Sequence, residues 1–133
     1  MVQCARASQI TPEISSCFCD RVSCLTRISS LSASDRAIAD FNDAIKLNPK
    51  LALAYYNRGF AYEKKGEYDR AIVDYDKAIA INPKFAAAYN NRGNAYYKKG
   101  DKEQAIVDFR KTLDIDPSSQ HAKNNLQALG VTP

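Results

Sequence analysis

The chain has 133 residues, 45% of them apolar and 26% charged, which is one domain's length and an ordinary globular balance. The net charge is +4, but beyond residue 34 Lys and Arg are interleaved with Asp and Glu, so no basic block tracks a phosphate backbone and nucleic acid is not an expected partner. No apolar run nears the roughly 18 residues of a membrane helix and MVQCARASQI lacks a secretory core, so no membrane partner and a cytoplasmic location are the expectation.

Residues 1–11 read as a disordered tail. All four cysteines (Cys4, Cys17, Cys19 and Cys24) fall in the first 24 residues, whereas a disulfide framework would be spread through the domain it staples. A zinc site needs wider spacing than Cys17-Phe-Cys19, and the single histidine, His121, stands far away. Reduced, incidental thiols are the simpler reading, and no metal or cofactor is expected. Thr11-Pro12-Glu13 is a sound helix start, with a cap, a first-turn proline and an acid near the positive end. Ile14, Phe18, Val22, Leu25 and Ile28 then form an apolar stripe at helical spacing. Residues 12–30 read as an amphipathic helix, or alternatively as a Ser- and Cys-rich tail. DRAIADFNDAIKL, 35–47, is a second helix, with Ser32 and Asp35 placed like a weak capping box. Together 12–51 form an irregular first hairpin.

From residue 52 the chain repeats itself. AYYNRGFAYEKKGEYDRA at 54–71 returns as AYNNRGNAYYKKGDKEQA at 88–105, a period of 34. Residues 52–85 form one unit and 86–119 the next. Tyr55 and Tyr89, Gly59 and Gly93, Tyr62 and Tyr96, Ala71 and Ala105, Pro83 and Pro117 fall in register, and Tyr75 matches Phe109. One period earlier, Ala37, Phe41, Ala44 and Pro49 occupy the same places. Each unit reads as two helices, the first ended by a left-handed glycine (Gly66, Gly100) and the second by the residue before proline. One such hairpin cannot bury its own apolar face, and a stack of them can. Ser118 or Ser119 then caps a closing helix with Ala122, Leu126 and Leu129 inward, ended by Gly130. This capping helix and tail take up 120–133.

The spacing of Tyr55, Gly59, Tyr62, Ala71, Tyr75, Ala78 and Pro83 resembles the tetratricopeptide repeat, and Tyr89, Gly93, Tyr96, Ala105, Phe109 and Pro117 repeat the match. The resemblance implies an all-α solenoid of helical hairpins, a right-handed superhelix with a C-terminal capping helix. Two departures stand out. Arg58 and Arg92 occupy the place where the family usually has Leu, and Thr112 replaces a small Ala, which should loosen one contact. Asp40, Asp74 and Asp108 recur at the same period, so the arginines form a ladder with these acids or else both sets are solvated charges. Asp74 and Asp76, seen alone, read as a solvated pair.

A catalytic reading finds no phosphate loop, no nucleophile elbow and no clustered His, Cys and carboxylate set, so no enzyme is expected. The resemblance implies a concave groove lined by the first helices. Its residues here are Tyr56, Asn57 and Phe60, then Asn90, Asn91, Asn94, Tyr97 and Lys98, then Asn124 and Asn125. Asn57, Asn91 and Asn125 stand one period apart. An Asn amide offers both a donor and an acceptor, so a row of them matches peptide backbone whatever its side chains. Family members that clamp a C-terminal carboxylate use Lys and Arg in the groove. Here Lys98 is available, but Tyr56 and Asn90 stand where the first lysine would be. The leading expectation is a protein- or peptide-binding scaffold. The alternative is a self-associating module, a homo-oligomer formed through the irregular first hairpin or an exposed repeat face. The paired lysines 64–65 and 98–99 read as complements to helix C-termini.

Overall fold

In a computed structural model, which describes residues 32–133, the described residues form six helices. The expected tail at 1–11 and the helix at 12–30 lie outside the described residues. The helices are α1 (Ala33–Leu47), α2 (Ala52–Lys64), α3 (Tyr68–Ile81), α4 (Ala86–Lys99), α5 (Lys102–Ile115) and α6 (Gln120–Ala128). First helices begin at 52, 86 and 120, and second helices at 68 and 102, so the sequence period is also the structural one. Each helix packs on the one before and the one after, and α2 also touches α4. This is an all-α solenoid of stacked helical hairpins. None of the described helices is long and apolar enough to cross a membrane.

The glycines end the helices as a left-handed residue should. Gly66, Gly100 and Gly130 have φ of 78°, 92° and 71°. At Gly66 the Glu67 amide donates to the Tyr62 carbonyl at 2.9 Å and the Gly66 amide to Glu63, the paired bonds of a Schellman ending. The same pair closes α4 at Gly100 and α6 at Gly130. Asn82 and Asp116, each before a proline, turn to extended backbone and stop α3 and α5.

The core lies between the hairpin layers. Ala71, Ile72, Tyr75 and Ala95 form one buried cluster, and Ala105, Phe109 and Leu126 another. Small residues set the spacing. A Cβ on Gly59 would stand 3.0 Å from Cε1 of Tyr75, and one on Gly93 only 2.7 Å from Cε1 of Phe109.

Several expectations need correction. Thr112 is fully buried, and its hydroxyl donates to the Asp108 carbonyl one turn back at 2.9 Å, so the extra polar group that replaces Ala is satisfied within its own helix. Ser119 takes the N-cap position of α6 without a side-chain bond. Ser118 instead donates from backbone and hydroxyl to Asp116 Oδ1, closing the turn ahead of the helix. Asp74 is not solvated, being 2% exposed. Lys65 does more than face a helix end: it bridges Asp35 of α1 at 2.7 Å and Glu67 at 3.0 Å, and Lys99 pairs with Asp69.

Candidate functional site: the face of the first helices

The site begins with what locks each first helix in place. Arg58 donates from Nε to Asp74 Oδ2 at 2.7 Å and from Nη2 to Asp74 Oδ1 at 2.6 Å. Arg92 grips Asp108 the same way, at 2.8 and 2.6 Å. Both acids are almost fully buried, so the forked guanidinium satisfies carboxylates that would otherwise be costly. Hydrogen bonding to these acids holds each guanidinium pKa above its ordinary value. The remaining nitrogen reaches back one hairpin: Arg58 Nη1 bonds Asn42 at 2.8 Å, and Arg92 Nη1 bonds Asp76 at 2.5 Å. Asn42 and Asp76 are themselves one period apart. The ladder is therefore real for Arg58, Arg92, Asp74 and Asp108, but Asp40 is exposed and stands outside it. The residue one period before Arg58 is Cys24, which offers no guanidinium.

With the arginines turned toward the second helices, the opposite flank of α2, α4 and α6 carries the expected groove residues. Tyr56 is less free than the periodic reading implies. Its ring centroid lies 5.9 Å from that of Tyr75 and 4.9 Å from that of Phe85, and burial pushes its hydroxyl pKa up. Its oxygen accepts from Asn91 Nδ2 at 3.0 Å, which ties α4 to α2. Asn125 Nδ2 donates to Asn94 Oδ1 at 3.0 Å and to Asn90 Oδ1 at 3.3 Å, tying α6 to α4. Asn90 makes a long 3.5 Å bond to Asn91. The amides thus form a chain across three helices, with Asn91 and Asn125 turning their donors to the neighbouring hairpin. Asn57 is half-buried on α2.

Two aromatics stand open on this face. Phe60 is 43% exposed with the Lys64 ammonium 4.9 Å above its ring, and Tyr97 is 45% exposed. Tyr97, Asn94, Phe109, Asn125, Ala128 and Leu129 line a small recess of about 40 Å³. A wider, polar recess lies between Tyr56, Asn90, Asn91, Asp116 and His121. Lys98 is exposed on the last turn of α4 and lines neither recess, and Asn124 is exposed, accepting from Gln120 at 2.8 Å. Pattern reasoning missed His121, Asp116, Ala128 and Leu129 as lining residues. His121 is in register with Leu53 and Ala87, and that alone could have placed it on this face. Among the described residues no group of three or more His, Cys, Asp or Glu is placed to hold a metal.

Stacked helix-turn-helix units with a polar, aromatic-studded face define a helical-repeat scaffold. Family profiles described as TPR repeat match residues 34–66 and 64–100, and the tetratricopeptide repeat profile matches 86–119. The chain belongs to the tetratricopeptide repeat family. It is similar to the Arabidopsis OM64 TPR domain, with 32% identity and a TM-score of 0.72 over 73% of this chain and 80% of that one. The first TPR of Spaghetti (RPAP3), bound to the HSP90 peptide SRMEEVD, is 27% identical with a TM-score of 0.71, over 73% and 77% of the two chains. The second TPR domain of human RPAP3, in complex with the HSP70 peptide SGPTIEEVD, is 27% identical with a TM-score of 0.70, over 84% and 90%. A search of the curated proteins found no match.

Proposed function

We propose that this chain is a non-enzymatic protein-interaction scaffold that holds an extended peptide segment along the shared face of α2, α4 and α6. The observation that carries the reading is the amide chain from Tyr56 through Asn91, Asn90 and Asn125 to Asn94, flanked by open Phe60 and Tyr97. The bonds that hold the hairpins in register use the donors of Asn91 and Asn125 and the oxygens of Asn90 and Asn94, which leaves the amide of Asn57 and the donor of Asn94 for backbone. Each backbone contact contributes only about 1 kcal/mol net, so useful affinity needs several along the face together with the aromatic anchors. Two similar TPR domains hold chaperone peptides, which supports a peptide ligand here.

Those two peptides are acidic and end in EEVD. The face proposed here is mostly neutral, with Lys64 and Lys98 exposed toward the helix ends. The fitting ligand is an internal extended segment with aliphatic side chains rather than an acidic chain terminus.

The test is a displayed library of random twelve-residue peptides selected on the full chain, with the winning peptide synthesised. The Asn57→Ala/Tyr97→Ser variant should lose its binding while keeping wild-type helicity and melting temperature. Undiminished affinity in the folded variant would remove the reading.

A further inference from the structure

The three second helices carry one sequence pattern but are buried to different degrees. Ala71, Asp74, Tyr75 and Ala78 of α3 are buried, as are Ala105, Asp108, Phe109 and Thr112 of α5. Their register partners on α1 are Ala37, Asp40, Phe41 and Ala44, yet α1 has no buried residue. Leu47, at the end of α1, is 88% exposed, whereas its register partner Ile81 is 39% exposed. On α3 and α5 this face is closed by a first helix that brings Arg onto the Asp and Gly against the aromatic ring.

We propose that the face of α1 around Asp40 and Phe41 is a docking site for a helix of a partner protein with the pattern aromatic-x-x-Arg-Gly, or Ala in place of Gly. Such a helix would complete a hairpin in trans. Charge complementarity selects the arginine: Asp40 stands where Asp74 and Asp108 each hold a forked guanidinium, and none of the described residues brings one to it. Shape selects a small residue: at this register on the other hairpins an added Cβ would come within 3.0 Å of Tyr75 and 2.7 Å of Phe109, a tight fit for Ala and too close for anything larger. The chain's own upstream sequence does not supply that pattern. One period before Tyr55, Arg58 and Gly59 stand Arg21, Cys24 and Leu25. A second copy fits less well too, since Arg58 and Arg92 are already engaged. This face is separate from the one proposed to hold an extended peptide, and the inference stands independently of that reading.

The probe is a synthetic peptide, ALAYYNRGFAYEKKG, a copy of residues 52–66, titrated into the full-length chain by calorimetry. A one-to-one complex is expected. Asp40→Asn in the chain, or Ala for Arg in the peptide, should weaken it by about tenfold or more, the loss of a charge-assisted bond. Leu in place of the peptide's Gly should abolish it. Because Asp40 is exposed, the variant should keep wild-type helicity, checked by circular dichroism. Absence of binding would overturn the proposal and point to residues 12–30 as the occupant. Binding indifferent to Asp40→Asn would also overturn it. So would a dimer of the chain alone, seen by light scattering and dispersed by Asp40→Asn, which would assign the face to a second copy.

Discussion

Arg58 and Asp74, sixteen residues apart on the two helices of one hairpin, meet fork to fork at 2.6 and 2.7 Å, with the carboxylate side chain only 3% exposed. The family's usual leucine here would only pack. The arginine packs, satisfies a buried acid and reaches Asn42 of the preceding hairpin. Removing one partner leaves a buried charge, so Arg58→Ala should cost about 3–5 kcal/mol. Arg58→Lys should also destabilise, because an ammonium cannot make the fork. The pair replaced as Arg58→Leu with Asp74→Leu should recover most of the loss. Urea unfolding of the three variants checks this.

Gly59 and Gly93 hold the same register but differ in clearance, 3.0 against 2.7 Å for an added Cβ. Alanine improves helix propensity by about 1 kcal/mol, and overpacking costs about 1–3 kcal/mol. Gly93→Ala should therefore lose stability clearly and Gly59→Ala less. Adding Phe109→Leu should relieve the Gly93→Ala defect, which a double-mutant cycle in urea would show.

Tyr75 is the tyrosine whose register partners are Phe41 and Phe109, so its ring is required and its hydroxyl is local. That hydroxyl donates to Glu63 at 2.8 Å, and burial followed by the Glu63 charge pushes its pKa well above the usual tyrosine value. Raised in the folded state, it contributes stability that is complete below about pH 10, the unfolded value, and lost as pH rises beyond it. Tyr75→Phe should lower stability at pH 7 by about 1 kcal/mol and flatten the alkaline decline. Melting curves between pH 7 and 11 measure both.

Asn91 and Asn57 are one period apart but have different duties. Asn91 holds Tyr56 of the preceding hairpin, so Asn91→Ala should cost about 1 kcal/mol of stability. Asn57→Ala should leave stability near wild type. Equal losses in thermal melts would contradict the distinction.

Much of the fold was legible because its signals are local and periodic. Gly66 and Gly100 mark left-handed endings, the residues before Pro83 and Pro117 mark helix stops, and a period of 34 repeats both. The Arg–Asp pairing was legible because both residue types recur at that period. What escaped depends on how neighbouring hairpins meet. Tyr56 belongs to the core boundary because Phe85, a residue of the connection to the next hairpin, lies on its ring. The bonds of Asn91 and Asn125 escaped for the same reason: periodicity says which face an amide occupies, not whether a hydroxyl or a second amide on the next hairpin lies 3.0 Å away.

The most direct test is chemical-shift mapping by NMR of the isotope-labelled chain with the library-selected peptide. The account predicts perturbations concentrated at Asn57, Phe60, Asn90, Asn94, Tyr97 and Asn124. Perturbations centred instead on Val73 and Val107, the exposed valines of α3 and α5, would contradict it.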